Sequence, residues 1–218
     1  MTTAAAGLDA HSPGLSGTGR AVRISANLVG AAGAAYFAQV NLHAYLQTHR
    51  PIGVALFAEQ MVVVIAYLVR RPARAMTRRG GDWLLAFGGT FIPVLLRPEG
   101  AHPAWGLHAG LALQILGLSI CFASFLALGR SFGFAAGDRG LVTRGPYGLV
   151  RHPIYASYLL LQAGYVLQSM SVRNVAVVVA ALACNAGRAV VEDRLLAGNA
   201  AHADYRRRVR WRLVPGVW

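Results

Sequence analysis

Six apolar segments, at roughly residues 24–45, 51–69, 83–96, 105–129, 154–172 and 174–191, fill most of this chain and limit what it can fold into. A helix needs about 20 apolar residues, within a range near 17–25, to cross the hydrocarbon of a bilayer. Only 13% of the 218 residues are charged and 56% are hydrophobic, where a soluble domain carries about 25% charged residues. So little charge cannot cover a water-exposed surface. The expected fold is all-α: a polytopic integral membrane helical bundle with about six spans (five to six). The third segment is short, which suits a tilted or re-entrant helix. The sixth is interrupted by Asn185 and Arg188.

The net charge is +13, and all 21 basic side chains are arginine. They flank the apolar runs and no nucleic-acid motif accompanies them, so nucleic-acid binding is excluded in favour of topology setting and contact with anionic lipid. Seventeen of the 21 fall on one side: Arg20 and Arg23, then Arg70, Arg71, Arg74, Arg78 and Arg79, then Arg130, Arg139, Arg144 and Arg151, then Arg194, Arg206, Arg207, Arg208, Arg210 and Arg212. Arg50, Arg97 and Arg173 fall on the other, and Arg188 lies within a helix. The bias makes the arginine-rich side cytoplasmic, with both termini inside and an even number of spans. The expected location is the inner or plasma membrane.

Residues 1–19 are rich in Ala, Gly, Ser and Thr without an apolar run; they read as a disordered tail and lack the pattern of a signal peptide. Residues 20–127 read as N-terminal transmembrane helices and 128–218 as a C-terminal region that carries the chemistry. Gly30, Ala31, Ala32, Gly33, Ala34 and Ala35 form a small-residue patch on the first span, suited to close helix approach. Cys121 and Cys184 lie in apolar runs without a CxxC or zinc-like cluster, so they read as core thiols, and no metal site is expected.

Residues 141–155 run from a Gly/Pro-punctuated polar segment straight into the fifth apolar run. Polar groups at that border are costly and tend to be functional. Pro153 suits the first turn of a helix, where its missing N–H costs nothing. That puts His152 at the cap and Tyr155 in the first turn; the alternative for Arg151, His152 and Tyr155 is interfacial anchoring. The preceding loop, Gly129 to Gly140, holds four glycines that permit close approach of a ligand, and Leu141 and Val142 offer apolar surface and backbone groups to a flat heterocycle. The alternative is a plain surface loop, and no strand–GxGxxG–helix pattern supports a Rossmann domain. Arg188 and Glu192, four apart, share a helix face. Asp193 adds a second carboxylate, so that one can balance Arg188 while the other meets a cationic ligand group; the alternative is a simple ion pair at a helix end. Glu59, Gln60, Asn41, His43, His108 and Gln114 read as helix–helix hydrogen-bond contacts, with the lining of a buried cavity as the alternative. The Arg-rich stretch 194–212 reads as an interfacial helix on anionic lipid, with Trp211, Val214 and Trp218 as its apolar contacts, or as a lid.

In order, Gly140-Leu-Val-Thr-Arg-Gly-Pro-Tyr147, Arg151-His-Pro-Ile-Tyr155, Arg188 with Glu192-Asp193, Tyr205-Arg-Arg-Arg-Val209 and Pro215 resemble the isoprenylcysteine carboxyl methyltransferase family and the related membrane phospholipid methyltransferases. The resemblance covers roughly residues 128–215. It implies a membrane methyltransferase that uses S-adenosyl-L-methionine, with the cofactor pocket formed by the C-terminal helices and their loop at the cytoplasmic face. Arg139, Gly140, Leu141, Val142, Tyr147, His152, Pro153, Ile154, Tyr155 and Glu192 are implied to bind the cofactor. Arg188 is implied to orient the acceptor, and Arg188 and Glu192 to be the catalytic pair. The chain departs from the pattern at Asp193, where the family often has Glu, at Ala156-Ser157, where a Gly is usual, and at Gly198-Asn-Ala-Ala-His202, where a Phe-Gly pair is usual. The implied partners are membrane lipids and a lipophilic or lipid acceptor, with a carboxylate as the foremost methyl acceptor. No obligate protein partner is indicated. The rival readings are an NADPH-dependent membrane sterol or steroid reductase-like enzyme and a non-enzymatic membrane transporter or scaffold; the paired broken helices or inverted repeats expected of a transporter are absent from the sequence.

Overall fold

Every apolar segment folds as a helix, and loops at the two ends of the bundle tie the helices together. The computed structural model describes residues 17–49, 51–73, 75–77, 79–97, 99–101, 103–198 and 200–218. The helices are α1 (Gly17–Thr48), α2 (Pro51–Val69), α3 (Gly80–Phe91), α4 (Ala104–Leu128), α5 (Pro153–Gln168), α6 (Val172–Leu195) and α7 (Ala200–Arg208). The strands β1 (Ala75–Met76) and β2 (Gly137–Asp138) form one small antiparallel ladder with Ala75 opposite Asp138. Residues 1–16 of the expected tail lie outside the described residues, and α1 already begins at Gly17.

The helices differ in their fitness to cross a bilayer. Among the described residues, two stretches are long and apolar enough to cross a bilayer, Ala104–Ser131 and Val172–Leu195. The short third segment folds as the 12 residues of α3 followed by a 3-10 turn, and α5 has 16 residues. The arrangement is mostly helical and fits a membrane protein.

Small residues pack inside and large apolar ones face outward. Leu107, Leu111, Ile115 and Leu126 on α4 and Val175 and Val179 on α6 are exposed, while Ser124, Ser157, Asn174 and Asn185 are fully buried. Helices in lipid gain nothing by hiding leucine, so their contacts use small residues and interhelical hydrogen bonds. The α4–α5 contact shows this most plainly. A Cβ placed on Gly110 would sit 2.4 Å from the carbonyl oxygen of Gly164, and one on Gly164 would sit 2.5 Å from that of Gly110. Gln168 Nε2 donates to Gln114 Oε1 across the same pair at 2.8 Å. The patch expected on α1 is split: Gly30 meets the Tyr67 ring of α2, whereas nothing lies near Gly33. Glu59 accepts from Cys121 Sγ at 3.6 Å between α2 and α4, one of the helix–helix contacts expected for it. Both cysteines are free thiols.

At one end, the buried Asn174 donates to the carbonyls of Arg97 and Ser169, each at 2.8 Å, and joins the α3–α4 loop to the α5–α6 turn. At the other end the arginine-bearing segments converge. Arg71 N donates to Arg130 O at 2.7 Å, and Thr77 N to Ala136 O at 3.2 Å, flanking the β1–β2 ladder. Arg70 Nε donates to Asn27 Oδ1 of α1 at 2.6 Å. Arg151 N and His152 N donate to the carbonyls of Trp211 and Arg212, both at 2.9 Å, so the chain's last residues lie beside the start of α5. The Arg-rich stretch is therefore not one interfacial helix: α7 ends at Arg208 and the chain continues as a docked strap that turns back on itself between Arg212 and Trp218.

The glycine contact gives a direct test. Overpacking a tight contact costs about 1–3 kcal/mol. Gly110→Leu is expected to lower the unfolding midpoint of the detergent-solubilised protein by that amount or more, whereas Gly33→Leu, with open space around it, leaves it unchanged.

Candidate active site

The site grows from two adjacent carboxylates at the end of α6. Asp193 is held by cations on every described side. Arg151 Nη1 reaches Oδ2 at 2.9 Å, Arg212 Nε reaches the same oxygen at 2.8 Å, and His152 Nε2 reaches Oδ1 at 3.2 Å. The His202 ring stands 3.7 Å from Oδ1. Three separate segments, the start of α5, α7 and the strap, thereby converge on one buried anion. Glu192 next to it is different. It accepts from the Tyr155 hydroxyl and lies 3.3 Å from His152 Nδ1. Its side chain is 27% exposed, against 5% for Asp193.

His152 bridges both carboxylates and stacks on the Tyr155 ring at 5.8 Å. Burial acts against its charge, but its bonds to Asp193 and Glu192 outweigh that and raise its pKa above the ordinary 6.5. The imidazolium is thus the joint between a closed carboxylate and an open one. Local sequence sets this up: Pro153, fully buried, begins α5 at a position where no N–H is needed, so the chain turns at His152.

Arg188 lies one turn before Glu192 but does not pair with it as a shared helix face would suggest. Its Nη2 donates to Phe134 O at 2.7 Å, and its Nη1 lies 3.4 Å from both Thr90 Oγ1 and Asn185 Oδ1. The guanidinium stands 4.8 Å over the Tyr155 ring and 5.8 Å from that of Phe134. Tyr155 separates the two groups, presenting its face to Arg188 and its hydroxyl to Glu192. Among the described residues, no carboxylate forms a salt bridge with Arg188, although the side chain is only 8% exposed. Of the two carboxylates, Asp193 takes Arg151 and Arg212, which leaves Glu192, whose charge acts on Arg188 from beyond salt-bridge distance, as the one that balances it.

The loop residues join the cluster unevenly. Arg139 is buried with its guanidinium over Gly133, where a Cβ would meet Nη1 at 2.0 Å. Its Nε has no hydrogen-bond partner among the described residues. Burial, and Arg70 after it, lower its pKa, while Glu192 opposes the shift. Gly140 has φ +97°, a conformation suited to glycine, and its N–H donates to Asp138 Oδ1 at 3.0 Å. Leu141 and Val142 follow it and are half-buried. Tyr147 is buried, with its carbonyl accepting from Tyr205 OH at 2.7 Å. Burial, with Glu192 adding to it, holds its phenol well above the ordinary range. Ile154 packs the other way, against Ala66, Cys121 and Phe125. The structure thus brings His152, Tyr155, Arg188 and Glu192 together, sets Arg139 and Tyr147 within electrostatic reach of Glu192, and turns Ile154 into the helix core.

Sequence reasoning missed Phe134, Thr90, Asn185, His202 and Arg212 as members of this cluster. Asn185 carried a signal, since it interrupts an apolar run three residues before Arg188. Arg212 did not, being one arginine among many.

Two outcomes follow from this network. The pKa of His152 is raised in the folded protein, so its stabilising charge is fully present below pH 6.5 and is lost as pH climbs through the raised value. A Tm series taken upward from pH 6.5 is expected to show falling stability that His152→Gln abolishes. Breaking a buried pair by removing one partner costs about 3–5 kcal/mol. Asp193→Asn is expected to lose stability on that scale, and trypsin is expected to cut the released strap at Arg210 and Arg212 before any other site.

The family model for phospholipid methyltransferases matches residues 105–199, from the first turn of α4 to just past α6. No curated protein matches the chain. The match takes in the Arg151–Tyr155 and Arg188–Asp193 motifs and points to a membrane methyltransferase. It stops short of α7 and the strap, so the Tyr205 and Pro215 part of the resemblance falls outside it. Over α4, its following loop, α5 and α6, the chain carries the pattern of the phospholipid methyltransferase family, relatives of the isoprenylcysteine carboxyl methyltransferases.

Proposed function

We propose that the protein is an S-adenosyl-L-methionine-dependent membrane methyltransferase that methylates the carboxylate of a lipophilic acceptor, an isoprenyl or lipid acid, at the cytoplasmic face. The observation that carries the acceptor class is the state of Arg188: a buried guanidinium with aromatic and carbonyl neighbours that feels the Glu192 charge but forms no salt bridge with a carboxylate among the described residues. A buried cation of this kind is satisfied by an anionic guest and repels an amine. Arginine offers two parallel donors that match a carboxylate.

The donor set suits the cofactor's zwitterionic tail. Glu192 is the accessible carboxylate for an ammonium group, and Arg139 keeps a buried Nε free of any partner among the described residues. Gly140, Leu141 and Val142 provide backbone and apolar surface for a flat ring, with Tyr147, His152, Pro153 and Tyr155 on the other side. The cofactor supplies a methyl group made electrophilic by its sulfonium. The remaining work belongs to the chain. His152 and Tyr155 aim Glu192, and Asp193 fixes His152 in turn. Arg188 would hold one acceptor oxygen and leave the other free to attack. A carboxylate is ionised at neutral pH and needs no general base, so positioning is the main requirement; proximity and orientation can supply up to about 7–11 kcal/mol.

Calorimetry on the detergent-purified protein tests this reading. S-adenosyl-L-methionine is expected to bind in the micromolar range, with binding lost in Glu192→Ala and largely kept in Arg188→Ala. With a labelled methyl donor and a panel of lipid acids, phenols and amines, transfer is expected to carboxylates and to disappear in Arg188→Ala. Binding of NADPH in place of S-adenosyl-L-methionine by well-folded protein would overturn the assignment, and transfer to amines alone would overturn the acceptor class.

A further inference from the structure

A second basic hollow lies behind the site, on the outer side of Arg151. It is lined by Arg151, Ala203, Arg206, Arg207 and Arg210, with a volume of about 420 Å³. Four guanidinium groups from two segments, the turn before α5 and the α7–strap unit, border one depression. Arg207 is partly neutralised by Asp204, while Arg206 and Arg210 are exposed and make no salt bridge among the described residues. Arg151 is the informative member. It is 7% exposed, and its Nε is buried without a hydrogen-bond partner among the described residues. Its Nη1 faces Asp193 as an ion pair at 2.9 Å but makes no hydrogen bond among the described residues, and its Nη2 donates to Arg210 O at 3.3 Å. A buried donor left over on a side chain that lines a cationic hollow calls for an acceptor from outside the chain.

We propose that this hollow is a binding site for a phosphate-bearing group, the headgroup phosphate of an anionic phospholipid. A phosphate offers several acceptor oxygens to a group of arginines, and guanidinium–phosphate pairs are among the stronger charge-assisted hydrogen bonds. Lipid is the favoured source because the two segments that form the hollow also carry apolar, outward-facing residues. Leu149 is 73% exposed two residues before Arg151, and the indole of Trp211, whose carbonyl accepts from Arg151 N, is 37% exposed. A ligand with an acyl body and a phosphate head meets both chemistries. The site is separate from the acceptor position at Arg188 and does not depend on the methyl-transfer reading. Because Arg151 also holds Asp193, its occupant and the carboxylate network share one side chain.

The test uses the full-length protein in a neutral detergent. Dioctanoyl phosphatidylglycerol, dioctanoylglycerol and inorganic phosphate are titrated separately, with bound ligand counted by native mass spectrometry. Phosphatidylglycerol is expected to bind at least tenfold more tightly than dioctanoylglycerol. Arg206→Gln/Arg210→Gln is expected to weaken it tenfold or more, while Arg208→Gln, which removes an exposed charge of α7 outside the hollow, leaves it unchanged. Inorganic phosphate that fails to displace the lipid identifies the headgroup as the source, whereas phosphate that displaces it at comparable affinity keeps the anion site and assigns it to a soluble phosphate. An equal loss in Arg208→Gln, or equal binding of dioctanoylglycerol, would overturn the proposal by reducing the effect to diffuse charge or to apolar adsorption.

Discussion

One buried carboxylate organises the polar half of this protein. Asp193 stands at the end of an apolar helix and is neutralised by Arg151, His152 and Arg212, with His202 close by. An isolated anion at that depth is prohibitive, and a fully surrounded one is tolerated. Its partners come from the turn before α5, from α7 and from the strap. Satisfying Asp193 therefore fixes where three otherwise independent segments lie. His152 transmits that constraint to Glu192, which keeps one side open. The two neighbouring carboxylates divide the labour by environment: one organises the fold and the other is available to a guest.

The helices were legible because apolar runs are a strong signal, and all six expected segments fold as helices, although α1 begins seven residues before its expected start. Span number was less legible. Six apolar runs look alike in sequence, but α3 and α5 are cut short by a 3-10 turn and by the turn at Ser169, and among the described residues two stretches keep the length and hydropathy for an unaided crossing. Packing partners were least legible. The patch on α1 was visible, yet the closest backbone approach is between Gly110 and Gly164, whose spacing means nothing until α4 and α5 are set side by side.

Legibility of the site follows the same logic. His152, Tyr155 and Glu192 stood out because polar groups at the edge of an apolar run are expensive. Their roles came only with geometry. The spacing of Arg188 and Glu192 suggested a pair, and Tyr155 separates them by inserting its ring between the two. Phe134 was invisible because it meets Arg188 through a backbone carbonyl, which any residue would supply, and through a ring that looks like any other loop aromatic in sequence.

The length of α5 has a mechanical consequence. Sixteen residues rise about 24 Å at 1.5 Å each, several ångströms short of a hydrocarbon layer about 30 Å thick. In a bilayer, a helix that short pulls the nearby leaflet inward or sinks its own end below the surface. The end in question begins at Pro153, beside His152 and Glu192. Such a dimple would lower that polar end of the bundle toward the acyl chains, so that it meets the leaflet from the side rather than standing out in water.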